Sequence, residues 1–476
     1  MADPIDYGNF ATQFLLVSSA EDLPSDLPEG WSAITVGSSH LAHGPDLPVL
    51  VVGSRCLLGW PVDLDTQDGL FRDDLLGLES TADLLEHLAG RFLLLGFIGP
   101  TVHAHPDPGG GLSAFHHPES GILASSPALI ESIFAGRYAS LRPVAEREAL
   151  LHLREQTGTW YPAGLCQLAD WTLLRPNHRT LLLSSTESKP ERTWPNPNTS
   201  QTDSQVASAK TITGLLSGIL TSLSKIAPLE IPLSAGRDSR LLLACSRDFH
   251  RDVRYSVHSP IAPHRAPEVE VSSALAEVLD LDHHIDQPRD PNRILCMGYG
   301  GEVVRGHYST TDGDKADPLA ILGYFGTADI DIGFVEQAMA DWANQLDGIP
   351  ESLHPDLIYL EQRMATTMSA ALYRDDLDCH FAVAPLCSQR LYDQVFSLPQ
   401  DYRVGWTLSD DIFRHAWPAT QLVPLQKTYF TGREKLHVRL RLLSAPFRGP
   451  DFRRAWRSPL LRQMIRMPPP GESEPS

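Results

Sequence analysis

After about residue 205 the apolar residues change period repeatedly, and this alternation constrains the chain more than any other feature. Ile212, Leu215, Leu216, Ile219, Leu220 and Leu223 recur at intervals of three and four, the stripe of an amphipathic helix. A short strand is predicted over Leu229 to Leu233, then a Gly-containing turn and a second helix around Leu241 to Ala244. A strand over Val253 to Val257 and a helix over Glu268 to Val278 follow. Parallel strands must be joined by crossovers, so helix and strand taking turns in this way predicts a doubly wound parallel sheet.

From Pro48 to Leu183 the texture is different. Short apolar runs (Val49 to Val52, Phe92 to Leu95, Gly121 to Ala124, Thr180 to Leu183) are broken by Gly, Pro and His, which predicts a strand-rich α+β layered domain. Helices against its sheets are predicted over Ala82 to Ala89 and Pro127 to Phe134. Residues 184–204, rich in Ser, Thr, Pro and Asn, read as a boundary. A chain of 476 residues exceeds one ordinary core, so two α/β domains are expected, 1–200 and 205–466, with 467–476 a disordered tail.

The chemistry concentrates in Leu233-Ser234-Ala235-Gly236-Arg237-Asp238-Ser239-Arg240. Here a strand ends, small residues turn, and a helix begins. Backbone N–H groups at the turn and helix N-terminus, with the Ser234 and Ser239 hydroxyls, can surround phosphate oxygens, and Asp238 can hold a compensating Mg²⁺. Bulkier residues at 235 and 236 would obstruct that approach. Taken alone, the segment also reads as a turn that only caps a helix.

This segment resembles the SGGxDS pyrophosphate loop of the asparagine synthetase superfamily of ATP pyrophosphatases, which includes β-lactam synthetases and lasso-peptide cyclases; Ala235 stands where Gly is usual. Other segments resemble the same family in the same order. Gly90-Arg91-Phe92, Asp107-Pro108-Gly109-Gly110 and Leu123-Ala124-Ser125-Ser126-Pro127 resemble its glutaminase-type domain. Leu174 to His178 and Arg192 to Pro195 resemble the lead into the synthetase domain, Gly298-Tyr299-Gly300-Gly301-Glu302 the GxGxD segment, and Pro385 and Pro424 to Lys427 later landmarks. The resemblance spans roughly residues 90 to 430. It implies an N-terminal Ntn-hydrolase-like sandwich of class II glutamine amidotransferase type and a C-terminal ATP-pyrophosphatase domain, adenine nucleotide α-hydrolase-like. It also implies ATP and Mg²⁺, with nucleotide contacts at Leu233, Ser234, Ala235, Gly236, Arg237, Asp238, Ser239 and Val257, and magnesium at Asp238 and Glu302.

Two departures qualify it. The family's glutaminase nucleophile is a Cys at residue 1, whereas this chain begins Met1-Ala2 and its nearest cysteine, Cys56, lies in a predicted strand. Glutamine hydrolysis is therefore expected to be absent and the first domain a structural or docking relic. Tyr299 matches the tyrosine that, in β-lactam synthetases, pairs with a glutamate to deprotonate the attacking amine. The stretch matching that glutamate's segment reads Phe381-Ala382-Val383-Ala384-Pro385, and Phe takes no proton. Glu361, on the helical segment Leu357 to Leu372, is a candidate replacement or a solvated helix face. Lys427 matches a lysine that neutralises phosphate or the tetrahedral oxyanion, and Arg305 could approach the same phosphates or pair with Glu302.

The function so implied is an AMP-forming amide synthetase: a carboxylate attacks the α-phosphorus of ATP, pyrophosphate leaves, and an amine displaces AMP from the acyl-adenylate. The substrates would be a small-molecule or peptide carboxylate and an amine, the assembly a possible homodimer. Alternatives are amidation of a cell-surface saccharide uronic acid with ammonia, and a nucleotide-binding pseudoenzyme suggested by Ala235 and Phe381.

Charge and cysteine usage narrow the partners. Lys+Arg 39 against Asp+Glu 59 gives a net −20, which disfavours nucleic acid. Residues 433–466 run against this with ten Lys/Arg and two Asp/Glu, either a solvated helical face or a clamp for an anionic substrate. Six cysteines without CxxC spacing predict neither zinc nor a disulfide framework, and fit reduced thiols in cytoplasm. His116-His117 and His283-His284 lack zinc-ligand spacing, so no transition metal is expected. The start shows no signal-peptide pattern and no run reaches the ~18 apolar residues of a membrane span, so neither export nor insertion is expected.

Overall fold

The computed structural model describes residues 10–66, 77, 81–99, 101–134, 137–157, 161–182, 190–195, 205–259, 267–308, 331–404, 406–425 and 449–466. Most of the boundary segment 184–204, the expected tail 467–476, Lys427 and the basic residues 433–448 lie outside them.

Two 6-stranded antiparallel sheets come first. One runs Thr172–Leu173, Phe115–His117, Ile122–Ala124, Phe14–Val17, Ser39–His43, Ser32–Val36; the other Pro190–Arg192, His178–Leu182, Thr101–Pro106, Leu88–Ile98, Arg55–Asp63, Val49–Val52. Side chains alternate in direction along a strand, and this sorts the residues into layers. Phe14 and Leu16 share a core with Cys56, Leu58, Leu93 and Leu95. Their neighbours Leu15 and Val17 point the other way, onto Leu129 and Ile130 of the Pro127–Ile133 helix. Leu57, Phe92 and Leu94 likewise meet Leu84 and Leu85 of the Thr81–Glu86 helix. The result is helix, sheet, sheet, helix. The helix expected over Ala82 to Ala89 stops at Glu86 because Leu88 pairs with Asp63 across the second sheet. Apolar residues at 84, 85 and 88 suit either period, and tertiary pairing decides.

The third sheet is 5-stranded and parallel: β1 (Leu229–Pro232), β2 (Arg254–Val257), β3 (Asp282–Ile285), β4 (Ile294–Cys296) and β5 (Phe381–Val383), in the order β3-β2-β1-β4-β5. Helix α1 (Gln205–Ile226) buries Ile212, Leu216, Ile219, Leu220 and Leu223 of the stripe read from the sequence, with Leu215 half-buried at its margin. Helix α2 (Arg237–Cys245) joins β1 to β2, and α3 (Pro267–Leu279) precedes β3. The strand order reverses between β1 and β4. In open α/β sheets such a switch point, beyond the carboxyl ends of the two strands, is where a ligand crevice is expected.

Buried contacts tie the sandwich to the parallel sheet. Arg91, 1% exposed, donates from Nη1 to both carboxylate oxygens of Asp376 at 2.9 and 2.8 Å and from Nε to the Gly111 carbonyl at 3.0 Å. Its guanidinium lies 5.1 Å from the Trp60 ring and 4.5 Å from that of Tyr373. Trp60 stacks on Phe381 with centroids 4.8 Å apart. Asp107 accepts from the backbone N–H of Phe92, Gly109, Gly111 and Leu112, shaping a loop that approaches the Ala365–Asp375 helix. A Cβ on Gly109 would fall 2.6 Å from Cys387 Sγ, so a larger residue there would have to push that side chain and those of Met364 and Met368 aside. Among the described residues, no helix is long and apolar enough to cross a membrane.

Candidate functional site

The two segments singled out by sequence meet at the switch point. Leu233 to Ser239 follow β1 and open α2, while Met297 to Glu302 follow β4. The turn after β1 is held from within: Gly236 N–H donates to Ser234 Oγ at 3.2 Å, the Ser234 and Ser239 hydroxyls lie 3.0 Å apart, and Ser239 Oγ also donates to the Ser234 carbonyl at 3.0 Å. Gly236 is the N-cap of α2 and makes no side-chain cap hydrogen bond. Ala235 is fully buried and its methyl joins the core, so Ala in place of Gly obstructs nothing. Val257 ends β2 at the same edge, its carbonyl accepting from Asp286 N–H at 2.9 Å.

Arg237 turns away from the crevice. It donates to Ser409 Oγ at 2.8 Å and Asp410 Oδ1 at 2.6 Å and covers the Trp406 ring at 4.6 Å. Arg240, fully buried, donates to the carbonyls of Thr420, Val423 and Pro424, fixing the chain that leads to Lys427. Burial pulls its guanidinium down to about 9.

The second loop fits against the first through its glycines. A Cβ on Gly301 would lie 2.6 Å from Asp238 Cβ and Oδ1, and one on Gly298 3.1 Å from the Asp238 backbone. Gly300 has φ +87 and leaves room for the Tyr392 hydroxyl, which a Cβ would meet at 2.5 Å. Asp238 and Glu302 are thereby brought to one place, with Arg305 between them. Arg305 Nε donates to Asp238 Oδ1 at 3.0 Å and Nη2 to Oδ2 at 3.3 Å, with Nη2 also 3.6 Å from Glu302 Oε1. Tyr359 donates its hydroxyl to Glu302 Oε2 at 2.6 Å. Tyr308 stacks on Tyr359 at 4.8 Å and accepts from Arg363 Nη1 at 2.8 Å, completing a wall that sequence reading missed. The signal was faint: Tyr359 and Arg363 are four apart on one helical face, but nothing local ties that face to residue 302.

Glu361 is not part of this cluster. Two positions from Tyr359 it faces the other way, where its carboxylate takes a bidentate pair from Arg192 at 2.6 and 2.7 Å, the Trp342 indole N–H at 2.8 Å and the Asn177 amide at 3.3 Å. Burial opposes its charge, yet Arg192 and these donors hold it below the usual carboxylate range. A carboxylate so clasped has no lone pair left for an amine's proton, and the expectation of a catalytic Glu361 is corrected to that of a clasp between sandwich and helix. Phe381 is packed on Trp60.

Tyr299 is partly buried beside the crevice; burial first, then the charge of Asp375, raise its phenol above the ordinary value, so it stays protonated at neutral pH. The six cysteines are buried, and burial pushes the Cys56 thiol up to about 12, leaving it no thiolate nucleophile. Of the basic segment, the described part packs on α3: Arg454 donates to the Val278 carbonyl at 3.2 Å and Ser458 to Glu277 at 2.7 Å. No protein-family model matches the chain, and no curated protein matches it significantly.

Proposed function

We propose that the chain is an asparagine synthetase-like amide synthetase. It uses ATP to adenylate a carboxylate, passes the acyl group to an amine, and hydrolyses no glutamine. In this reading the four-layer unit is a degenerate Ntn-hydrolase-like amidotransferase domain and the parallel sheet an ATP-pyrophosphatase domain. The observation that carries it is the meeting, at the switch point, of a Ser-Ala-Gly turn opening a helix with a glycine turn bearing a carboxylate, each allowing the other's close approach.

Each group has a task here. The N–H groups at the start of α2 and the Ser234 and Ser239 hydroxyls bind the β- and γ-phosphates, orienting the α-phosphorus toward the substrate carboxylate. The carboxylate oxygen bonds to that phosphorus and pyrophosphate departs with the electron pair. The amine nitrogen then bonds to the carbonyl carbon and AMP departs. Tyr299, protonated, donates to the substrate rather than acting as base, and the amine's proton passes to water or the departing phosphate. Mg²⁺ does not fit between Asp238 and Glu302 as they stand, because their oxygens already face Arg305 and Tyr359. Lys427 remains the proposed oxyanion lysine, and a homodimer working in cytoplasm is part of the same reading.

The direct test is to incubate the full chain with ATP, hydroxylamine as surrogate amine, and a panel of amino acids, peptides and uronic acids. The expected products are AMP, pyrophosphate and a hydroxamate; ADP and phosphate would refute the reading. A second reading, nucleotide binding without turnover, is favoured by the burial of Phe381 and predicts tight ATP with no hydroxamate.

A further inference from the structure

We propose that Arg305 is a resident cation at the nucleotide site, taking the place of a divalent ion between Asp238 and Glu302, so that nucleotide binding by this chain is independent of added metal. The proposal rests on the nucleotide reading of the site. Two carboxylates drawn together at a switch point repel each other unless a positive charge separates them. Here that charge is covalent. Arg305 leaves the Gly301–Val304 helix at its C-cap and, with its side chain 12% exposed, lays Nε and Nη2 along the two oxygens of Asp238 while Nη2 also faces Glu302.

The packing leaves little freedom to rearrange. Gly301 backs onto Asp238 so closely that a Cβ would sit 2.6 Å from its Oδ1, and both Asp238 oxygens accept from the guanidinium. The other oxygen of Glu302 is taken by the Tyr359 hydroxyl, which is in turn stacked beneath Tyr308. A divalent ion reaching Asp238 would have to compete with a guanidinium held in a paired, largely buried position. It would leave that cation unpaired unless the phosphates received it. Guanidinium is permanently charged and offers a planar fork that suits phosphate oxygens as well as carboxylates, so once polyphosphate arrives Arg305 can serve both without a metal as intermediary. The protein's net charge of −20 makes such a built-in cation valuable, since free polyphosphate would otherwise be repelled.

Two measurements on the full chain test this. In equilibrium dialysis, the wild type should bind ATP in EDTA and in Mg²⁺ with affinities within about threefold of each other, and Arg305→Leu should bind on the order of tenfold or more weakly in EDTA, with Mg²⁺ restoring much of the loss. Arg305→Lys, which keeps the charge, should lie between. Electron paramagnetic resonance of Mn²⁺ without nucleotide provides an arm that needs no ATP binding. The wild type should take up no Mn²⁺ that Asp238→Asn removes, whereas Arg305→Leu should gain a site that the added Asp238→Asn abolishes. Loss of ATP by the wild type in EDTA, or Mn²⁺ uptake by the wild type that depends on Asp238, would overturn the proposal by showing that Arg305 yields to metal. Failure to bind ATP in either medium would refute the nucleotide reading instead, and the manganese arm would still decide whether Arg305 excludes a divalent ion.

Discussion

Replacing Glu361 by Gln should destabilise the protein without touching its chemistry. The change keeps the side chain's shape but removes the charge opposite Arg192, and it places an NH₂ donor among groups that all donate: the Arg192 guanidinium, the Trp342 indole and the Asn177 amide. Breaking a buried pair by removing one partner costs about 3–5 kcal/mol. Arg192 retains the carbonyls of Gln345 at 2.9 Å and Trp194 at 3.1 Å, so the loss should fall near the lower figure. Urea unfolding followed by tryptophan fluorescence reads it, and Trp342 reports from the clasp itself. The midpoint should drop, while ATP–pyrophosphate exchange per folded molecule stays within about twofold of wild type because Glu361 touches no part of the crevice. In the double variant Glu361→Leu/Arg192→Leu the destabilisation should be smaller than the sum of the single losses, since each single change also strands the other partner of the pair, although partly buried Arg175 loses Glu361 whenever that residue is replaced. An unchanged midpoint together with lost exchange would refute this reasoning and return Glu361 to the catalytic role.

Gly301→Ala should force the two loops apart, lowering stability by about 1–3 kcal/mol and weakening ATP binding at least tenfold in calorimetry; unaltered binding would mean that the Gly301–Asp238 contact is unimportant. Phe381→Glu puts a charge against Trp60 in a fully buried position, so a melting experiment should show a loss of several kcal/mol and product assays no gain in amide formation. Because Glu361 is held below the usual carboxylate range in the folded protein, its pair with Arg192 contributes fully above that range and is lost as pH falls through the folded value. The stability gap between wild type and Glu361→Gln at neutral pH should accordingly close on acidification, and a gap constant down to the acid transition would contradict the pairing.

Features set by neighbours in sequence were legible. The α1 stripe and the β1 turn with α2 follow from local period and small-residue content, and the structure has them close to the expected residues, whereas the loop after β4 is singled out only by the family resemblance of Gly298 to Glu302. What local pattern could not supply was direction. Glu361 and Tyr359 share a helical segment that includes a π-helical stretch over Tyr359–Met364, and nothing in the sequence says which of them faces residue 302. Arg305 was ambiguous for the same reason: an arginine three residues after Glu302 could serve it, phosphate, or a residue 67 positions back, and only the folded loops choose Asp238. Arg237 lies inside the loop yet points out, because Trp406 and Asp410, far away in sequence, draw it there.

The sandwich has a physical task in the fold. β5 is a three-residue strand at the edge of the parallel sheet, and an edge leaves backbone groups without partners. The missing neighbour is supplied by one ion pair: Asp376 Oδ1 accepts from Ala382 N–H at 2.9 Å, and Arg91 Nη1 donates to the Ala382 carbonyl at 3.2 Å. Arg91 belongs to the sandwich, and Trp60 of the adjacent strand covers Phe381, so β5 is held on its open side by the first unit's side chains. On its other side, the Val383 carbonyl receives Met297 N–H at 2.8 Å, at the point where the chain leaves β4 for Gly298 and Glu302. The position of the second loop is thus set through β5 by the sandwich. Without the sandwich the edge strand, and with it the glycine turn against Asp238, would lose this support.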